Sequence, residues 1–345
     1  MGTDDTSSRS DKRATRLEDL ARRAGVSIST VSRALNDSPA INRRTKQAIW
    51  ELARELDYPF RQRMPAGPIG AEATIAVVVP QPQARDGHIY DPFFFELLAG
   101  VAEAARDRSC DVLVSHITPT NYDDLAFAMS TSRADGVIFI GQSSLHLEFN
   151  ALALKDSRFV VWGAELPEQA YCSIGSDNPL GGRRATAHLT RLGRRKILFL
   201  GDTEAPEAMQ RYRGYLKALD EAGIEADPSW YLPVHFEVES AEAAVHSQIE
   251  RGLDFDGIVA ASDLIALGAI RALQASGRSV PDDVSVVGYD NVPFSRLARP
   301  SLTTISQDTA KAGRLLVSKL VDSQGGSRRS ERSPTELIVR GSCGA

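Results

Sequence analysis

Apolar positions along this chain follow two different rules. Between residues 17 and 56 they recur at helical spacing, and from residue 73 onward they gather in short runs separated by amphipathic stretches. Leu17, Leu20, Ala21 and Ala24 fall at i, i+3, i+4 and i+7, which predicts a helix that stops at Gly25. Ser27 can cap a second helix by offering its hydroxyl to the exposed amides of the first turn. In that helix Val31, Ala34 and Leu35 share a face. Asn42 opens a third, with Ala48, Ile49, Leu52, Ala53 and Leu56 expected inward. Three short helices with a glycine at the first turn predict a helix-turn-helix domain. The run AGVSISTVSRALN is crowded with serine, threonine and β-branched residues, so its helix is weak by propensity and must be held by its neighbours. Its outward residues, Ile28, Ser29, Ser32 and Arg33, are then free to be selected for what they touch. Arginine pairs bidentately with guanine, an exposed isoleucine meets a thymine methyl, and short hydroxyls allow close approach to phosphates. On pattern alone, a small structural module with an ordinary polar face stays open as the alternative.

The second rule predicts an α/β region. ATIAVVVPQ, DVLVSHI, DGVIFIG, RFVVWGA, KILFLGD, GIVAAS and DVSVVGYD read as strands. FFFELLAGVAEAARDRSC, DDLAFAMSTSRA, GRRATAHLTRLGR, RYRGYLKALDEAG and a segment from about Leu264 read as helices. Apolar strands alternating with helices imply parallel sheets covered on both faces. About 270 residues of this exceed one doubly wound unit, so two lobes are expected. The polar residues 1–14 are expected to be a disordered tail. PFRQRMPAGPIGAE, residues 59–72, is a Pro/Gly-rich linker.

Charge sharpens the division. The net charge is −5, yet residues 9–63 hold 13 Lys/Arg against 7 Asp/Glu, which leaves −11 for the remainder. A basic module on an acidic body suits a reader of double-stranded DNA. Three cysteines without CxxC spacing fit a reducing cytoplasm rather than a disulfide or zinc scaffold. No secretory signal and no apolar run of membrane-spanning length is seen in the sequence, so no membrane association is expected.

Catalysis finds no foothold in the motifs. GxGxxG after a strand, GxxxxGK[ST], HExxH and GxSxG are all missing, so neither an enzyme nor a cofactor or metal site is expected. DGHIYD at 86–91 reads as loop and capping residues. Binding is better supported, because ligands of α/β sheets collect beyond the carboxyl ends of strands. Phe93 and Phe94, Trp162, Phe236, Ser262 and Asp290 stand at such places, as does Arg211, expected to open a helix after a loop. A carboxylate and a guanidinium among aromatic faces suit a neutral polyol. Asp263 is expected to cap the helix that follows it, and one of the three consecutive phenylalanines must serve the core.

Residues 15–58 resemble the DNA-binding domain of the lactose/galactose repressor family, AGVSISTVSRALN matching nearly position for position; DVSVVGYDN at 283–291 resembles a second, distant motif of that family. The resemblance implies that Ile28, Ser29 and Arg33 read bases while Ser27, Thr30, Ser32 and Asn36 contact the DNA backbone. It implies a periplasmic-binding-protein-like effector domain over 73–345, with an N-lobe of about 73–176 and 307–333 and a C-lobe of about 177–306 and 334–345. Crossovers would lie near Asp177, Ser306 and Ser333. Effector contacts fall at Asp290 and Arg211, with Phe94, Phe236, Ser262 and Gln307 as further pocket positions. The family's hinge helix, which inserts a leucine into the minor groove, finds no counterpart in 59–72: there is no leucine, and Pro59, Pro65 and Pro68 oppose a helix. The expected protein is a homodimeric repressor released from its operator by a sugar, with a tetramer left open. A corepressor-dependent regulator sensing a purine or phosphosugar is the alternative.

Overall fold

The computed structural model describes residues 17–35, 41–56, 73–79, 91–115, 117–131, 134–322 and 329–344. The tail, the linker 59–72 with its hinge question, and Asn36 lie outside them. The chain divides into two compact units, residues 1–66 and 67–345.

The first unit holds α1 (Leu17–Ala24), α2 (Ile28–Leu35) and α3 (Arg43–Glu55). Gly25 ends α1 at φ +66°, a left-handed conformation that a side chain would strain, and the Val26 amide then donates back to the Ala21 carbonyl at 3.1 Å. Ser27 caps α2, its Oγ accepting from the Thr30 amide at 3.1 Å; Asn42 caps α3, accepting from the Thr45 amide at 2.8 Å. Leu20, Ala21, Val31, Ala34, Ile49 and Ala53 form the core. Ala48 differs from expectation. It is exposed, because Ile49, Leu52, Ala53 and Leu56 already fill the inward stripe at i, i+3, i+4 and i+7.

The second unit contains two six-stranded sheets. The first is built from β1 (Thr74–Val78), β2 (Asp111–Val114), β3 (Gly136–Ile140), β4 (Phe159–Trp162), β5 (Ser173–Ser176) and β11 (Glu331–Ser333), ordered β11-β5-β4-β3-β1-β2. The second comprises β6 (Ile197–Leu200), β7 (Tyr231–Leu232), β8 (Gly257–Ala260), β9 (Ser285–Asp290), β10 (Thr303–Ser306) and β12 (Glu336–Ile338), ordered β12-β10-β9-β8-β6-β7. All pairings are parallel except β10 with β12. Helices α4 (Pro92–Arg106), α5 (Tyr122–Thr131), α6 (His146–Ala153) and α11 (Thr309–Val321) accompany the first sheet; α7 (Asn178–Arg191), α8 (Pro206–Glu221), α9 (Val238–Glu250) and α10 (Asp263–Ala275) accompany the second.

This is the doubly wound, two-lobed α/β architecture expected. Central strands such as GVIFI, FVVW and ILFL are buried along their whole length, as strands covered on both faces must be. The chain passes between the sheets after Ser176, after Ser306 and after Ser333. Strand carboxyl ends of both lobes, and the starts of the helices that follow, are thereby gathered around those passages. None of the helices in the described residues is long and apolar enough to cross a membrane.

Candidate functional site

Each unit presents a site of its own. In the first, α2 is pinned from behind by Val31 and Ala34 and turns Ser27, Ile28, Ser29 and Arg33 to solvent, while Thr30 and Ser32 are half-buried. Ile28 is 50% exposed, far from the burial that an isoleucine serving only stability would seek. The Ser27 hydroxyl lies 2.8 Å from both Ser29 Oγ and Thr30 Oγ1, a compact hydroxyl group at the helix start. One exposed apolar side chain beside one guanidinium on a short helix is suited to reading base edges.

In the second unit, a cavity of about 520 Å³ is lined by Phe93, Asp290, Asn291, Ser306, Gln307 and Lys311 among others. Asp290 ends β9 and is buried. Gln307 Nε2 donates to its Oδ1 at 2.6 Å, and Gln307 Oε1 accepts from Ser176 Oγ. A hydrogen-bonded chain therefore joins the ends of β5 and β9 through the residue that follows β10. Arg211 approaches the same carboxylate, Nη1 standing 3.9 Å from Oδ1. Its guanidinium is fixed by Nε donating to Asn178 Oδ1 at 2.9 Å, by Nη1 donating to the Ala261 carbonyl, and by stacking 3.7 Å above the Tyr289 ring. Burial pushes the Asp290 carboxyl well above the usual range, while Arg211 and the Gln307 hydrogen bond pull it back.

Arg211 does not open its helix. Pro206 does, since a proline at the first helical position loses no hydrogen bond, and Arg211 sits in the second turn. Its position depends on the contact of α7 with α8: a Cβ added to Gly182 would lie 2.0 Å from the Arg211 carbonyl oxygen. Capping of α10 also differs from expectation. Ser262 Oγ accepts from the Ile265 amide at 3.2 Å and so caps the helix. Asp263 instead accepts from Thr304 Oγ1 at 2.5 Å and from the Val292 amide at 2.9 Å, tying β10 to the loop after β9. Its carboxyl is pushed up to about 7 by burial.

The aromatic candidates separate. Phe93 lines the cavity and packs on Trp162, ring centroids 5.7 Å apart. Phe94 faces the core beside Leu97 and Val101, so it is the phenylalanine that serves packing, and Phe236 packs against the core of the second lobe. Neither lines the cavity, and Trp162, Arg211 and Ser262 stand behind its lining rather than in it. Asp91, Glu207 and Asn178 were not singled out from sequence, yet Asn178 orients Arg211, and the other two carboxylates interact electrostatically with it. The only local signal was a proline beside each, marking helix starts at Asp91-Pro92, Pro206-Glu207 and Asn178-Pro179.

Similarity to known proteins agrees with this division. Residues 16–59 match the bacterial regulatory proteins of the lacI family, and residues 186–343 match a periplasmic binding protein-like domain. The HTH-type transcriptional regulator CelR of Thermobifida fusca is 32% identical over 318 residues, 90% of this chain and 92% of CelR. The structure of a CelR–cellobiose complex aligns with TM-score 0.69 at 30% identity, covering 95% of this chain and 99% of that one. A lac repressor dimer bound to operator and the anti-inducer ONPF aligns with TM-score 0.67 at 25% identity, covering 96% and 99%. An exposed helix of a helix-turn-helix unit and a polar-lined cavity in the other unit are the two parts of a DNA-binding transcriptional regulator rather than of an enzyme, and the chain belongs to the lacI family of bacterial regulatory proteins.

Proposed function

We propose that the protein represses carbohydrate-utilisation genes and leaves its operator when a small sugar enters the cavity at Asp290. The observation that carries this reading is the Ser176–Gln307–Asp290 chain beside that cavity. A ligand hydroxyl bound to Asp290 acts on the residues where the polypeptide passes between lobes, so occupancy and lobe orientation are coupled. Arg211 and Asp290 supply directional hydrogen bonding, Phe93 with Trp162 behind it gives an apolar wall, and Gln307 holds Asp290 in place. The effector domain runs from 73 to 345, with its lobes divided near Asp177, Ser306 and Ser333. Ile28, Ser29 and Arg33 face base edges, while Ser27, Thr30, Ser32 and Asn36 meet the DNA backbone. As a homodimer in the cytoplasm, the protein sets two such helices in successive major grooves of a pseudo-palindromic operator. Moving it from mostly bound to mostly free requires the sugar to favour the free state by ~5.5 kcal/mol.

Fluorescence anisotropy on an operator selected from random duplexes tests the assignment, with neutral mono- and disaccharides titrated in. One sugar weakens operator binding. In Asp290→Asn, operator affinity is kept and the response is lost, the sugar binding ~1.5–3 kcal/mol more weakly. A sugar that tightens operator binding reverses the sign of regulation, and loss of both properties in the variant assigns Asp290 to folding alone.

A further inference from the structure

The loop that leaves β4 is tied down by its own lobe. The Ala164 carbonyl accepts from Gln142 Nε2 at 2.8 Å, the Glu168 carbonyl accepts from Asn150 Nδ2 at 3.2 Å, and the Ala170 amide donates to Asn150 Oδ1 at 2.7 Å. His146 Nε2 lies 3.1 Å from the Pro167 carbonyl and Nδ1 lies 3.0 Å from the Tyr171 hydroxyl. A carbonyl only accepts, so Nε2 carries the proton and Nδ1 accepts from Tyr171. Gln169 closes the loop on itself, Oε1 accepting from the Leu166 amide at 3.0 Å and Nε2 donating to the Tyr171 carbonyl at 2.9 Å. Residues 164–171 are thus a platform that moves with α6 and the first sheet.

Helix α8 of the other lobe rests on this platform. Gln210 Nε2 donates to the Glu165 carbonyl at 2.8 Å. Glu207, three residues earlier and so on the same face of the helix, turns its carboxylate to the Ala164 amide, with Arg332 of β11 in electrostatic reach. Arg332 Nε stands 3.6 Å from the Glu165 carboxylate. Glu165, Gln210 and Arg332 do not line the cavity, so what they govern is the placement of one lobe against the other. Strand β4 lies inward of β5 and β11, whose ends carry two of the passages between lobes. The Gln210 bond therefore stands off the hinge and resists rotation about it.

We propose that Gln210 is a positioning residue for the effector response: its hydrogen bond to the Glu165 carbonyl seats α8, and the neighbouring Arg211 with it, on the first lobe and fixes the angle between the lobes before any ligand arrives. This rests on the reading of the cleft as the effector site. A ligand entering between lobes already held at the binding angle loses no affinity to bringing them there.

Gln210→Glu tests this in the full-length protein, because it keeps the shape and removes the donor. Nitroxides at Leu154→Cys, just beyond α6, and Arg251→Cys, just beyond α9, report the distance between lobes by double electron–electron resonance. Both positions are exposed and the native cysteines are buried. Dilution with unlabelled chains keeps every measured pair within one molecule. The wild type gives one narrow distance. Gln210→Glu adds a second, longer one, and Gln210→Lys, which restores an N–H donor, removes it; a packing defect would not be rescued by so different a shape. Glucose, ribose and cellobiose are then titrated, and the sugar that binds the wild type binds Gln210→Glu about fivefold more weakly, the worth of one hydrogen bond. A single narrow distance in Gln210→Glu overturns the inference, as does unchanged sugar affinity beside a widened distribution. Silence from all three sugars in the wild type counts against the sugar reading and leaves the distances to decide this one.

Discussion

The two candidate sites are made in opposite ways. On the DNA-reading helix, the described candidates lie within seven consecutive residues, Ser27 to Arg33, and the most informative of them are exposed. At the cleft, Phe93, Trp162, Arg211, Asp290 and Gln307 come from five separate parts of the chain, and Trp162, Arg211, Asp290 and Gln307 are each buried to 7% exposure or less. A surface that reads a polymer must be convex and free, so one helix can encode it. A site that encloses a small molecule must be concave, and only the fold brings its walls together. Substitutions of the exposed Ile28, Ser29 and Arg33 should therefore change recognition and spare stability, whereas those around the cleft should change both.

The largest expected effect is on pH. Burial lifts Asp263 from 3.8 to about 7, and none of the described residues of the DNA-binding unit is a buried carboxylate. A folded-state pKa above the unfolded value means that protonation favours the fold. The stabilisation is complete below about pH 4 and fades as the pH climbs through 7, by up to ~4 kcal/mol. Urea denaturation of the effector unit within the whole protein, followed by the fluorescence of Trp162 and Trp230, should show this slope, and Asp263→Asn should reduce it, the buried Asp290 carboxyl contributing in the same direction. A flat wild-type profile breaks the contrast between the two units.

Next comes Gly182→Ala. Its Cβ meets the Arg211 carbonyl, so α7 and α8 must part, at a cost of ~3 kcal/mol to thermal stability and with loss of effector binding. Unchanged effector affinity would mean that the helix contact does not set the arginine. Arg33→Ala should cost ~1–3 kcal/mol on the cognate operator and relax the preference at one base step in each half-site, with the melting temperature unmoved. Equal weakening on all sequences makes Arg33 a phosphate contact instead. Smallest is Ser27→Ala, which removes a cap and should lower the stability of the DNA-binding unit by ~1 kcal/mol. A larger loss of operator affinity than of stability would show its hydroxyl touching DNA.

Legibility in the sequence follows the same contrast. The α2 caps and core were readable because each depends on residues within one or two turns. Strands β1, β3, β6 and β9 announced themselves as apolar runs. Strands β5 (SIGS) and β10 (TTIS) did not, since their buried serines and threonines give no apolar signal. Helix α9 was passed over because only Ala241 and Val245 are buried in it. The cleft was half readable. Asp290 and Arg211 could be named, but the hold of Asn178 on Arg211 joins α7 to α8 across 33 residues, and Asp91 stands at the start of α4, more than a hundred residues before Arg211. Ser262 took the cap expected of Asp263 for a similar reason: either can cap a helix, and the buried Thr304 hydroxyl draws Asp263 away.

At the end of β9 the backbone takes an unusual course. Asp290 and Asn291 both have positive φ, +113° and +59°, a pair of conformations that non-glycine residues hold only when their surroundings insist. The carboxylate proposed to meet the ligand is thus also a structural clasp, secured by Gln307 on one side and, through Asn291, by the Thr304 hydroxyl and Arg340 on the other. New ligand preferences in descendants of this protein should arise by exchanging the aromatic wall around Phe93, leaving the clasp as inherited.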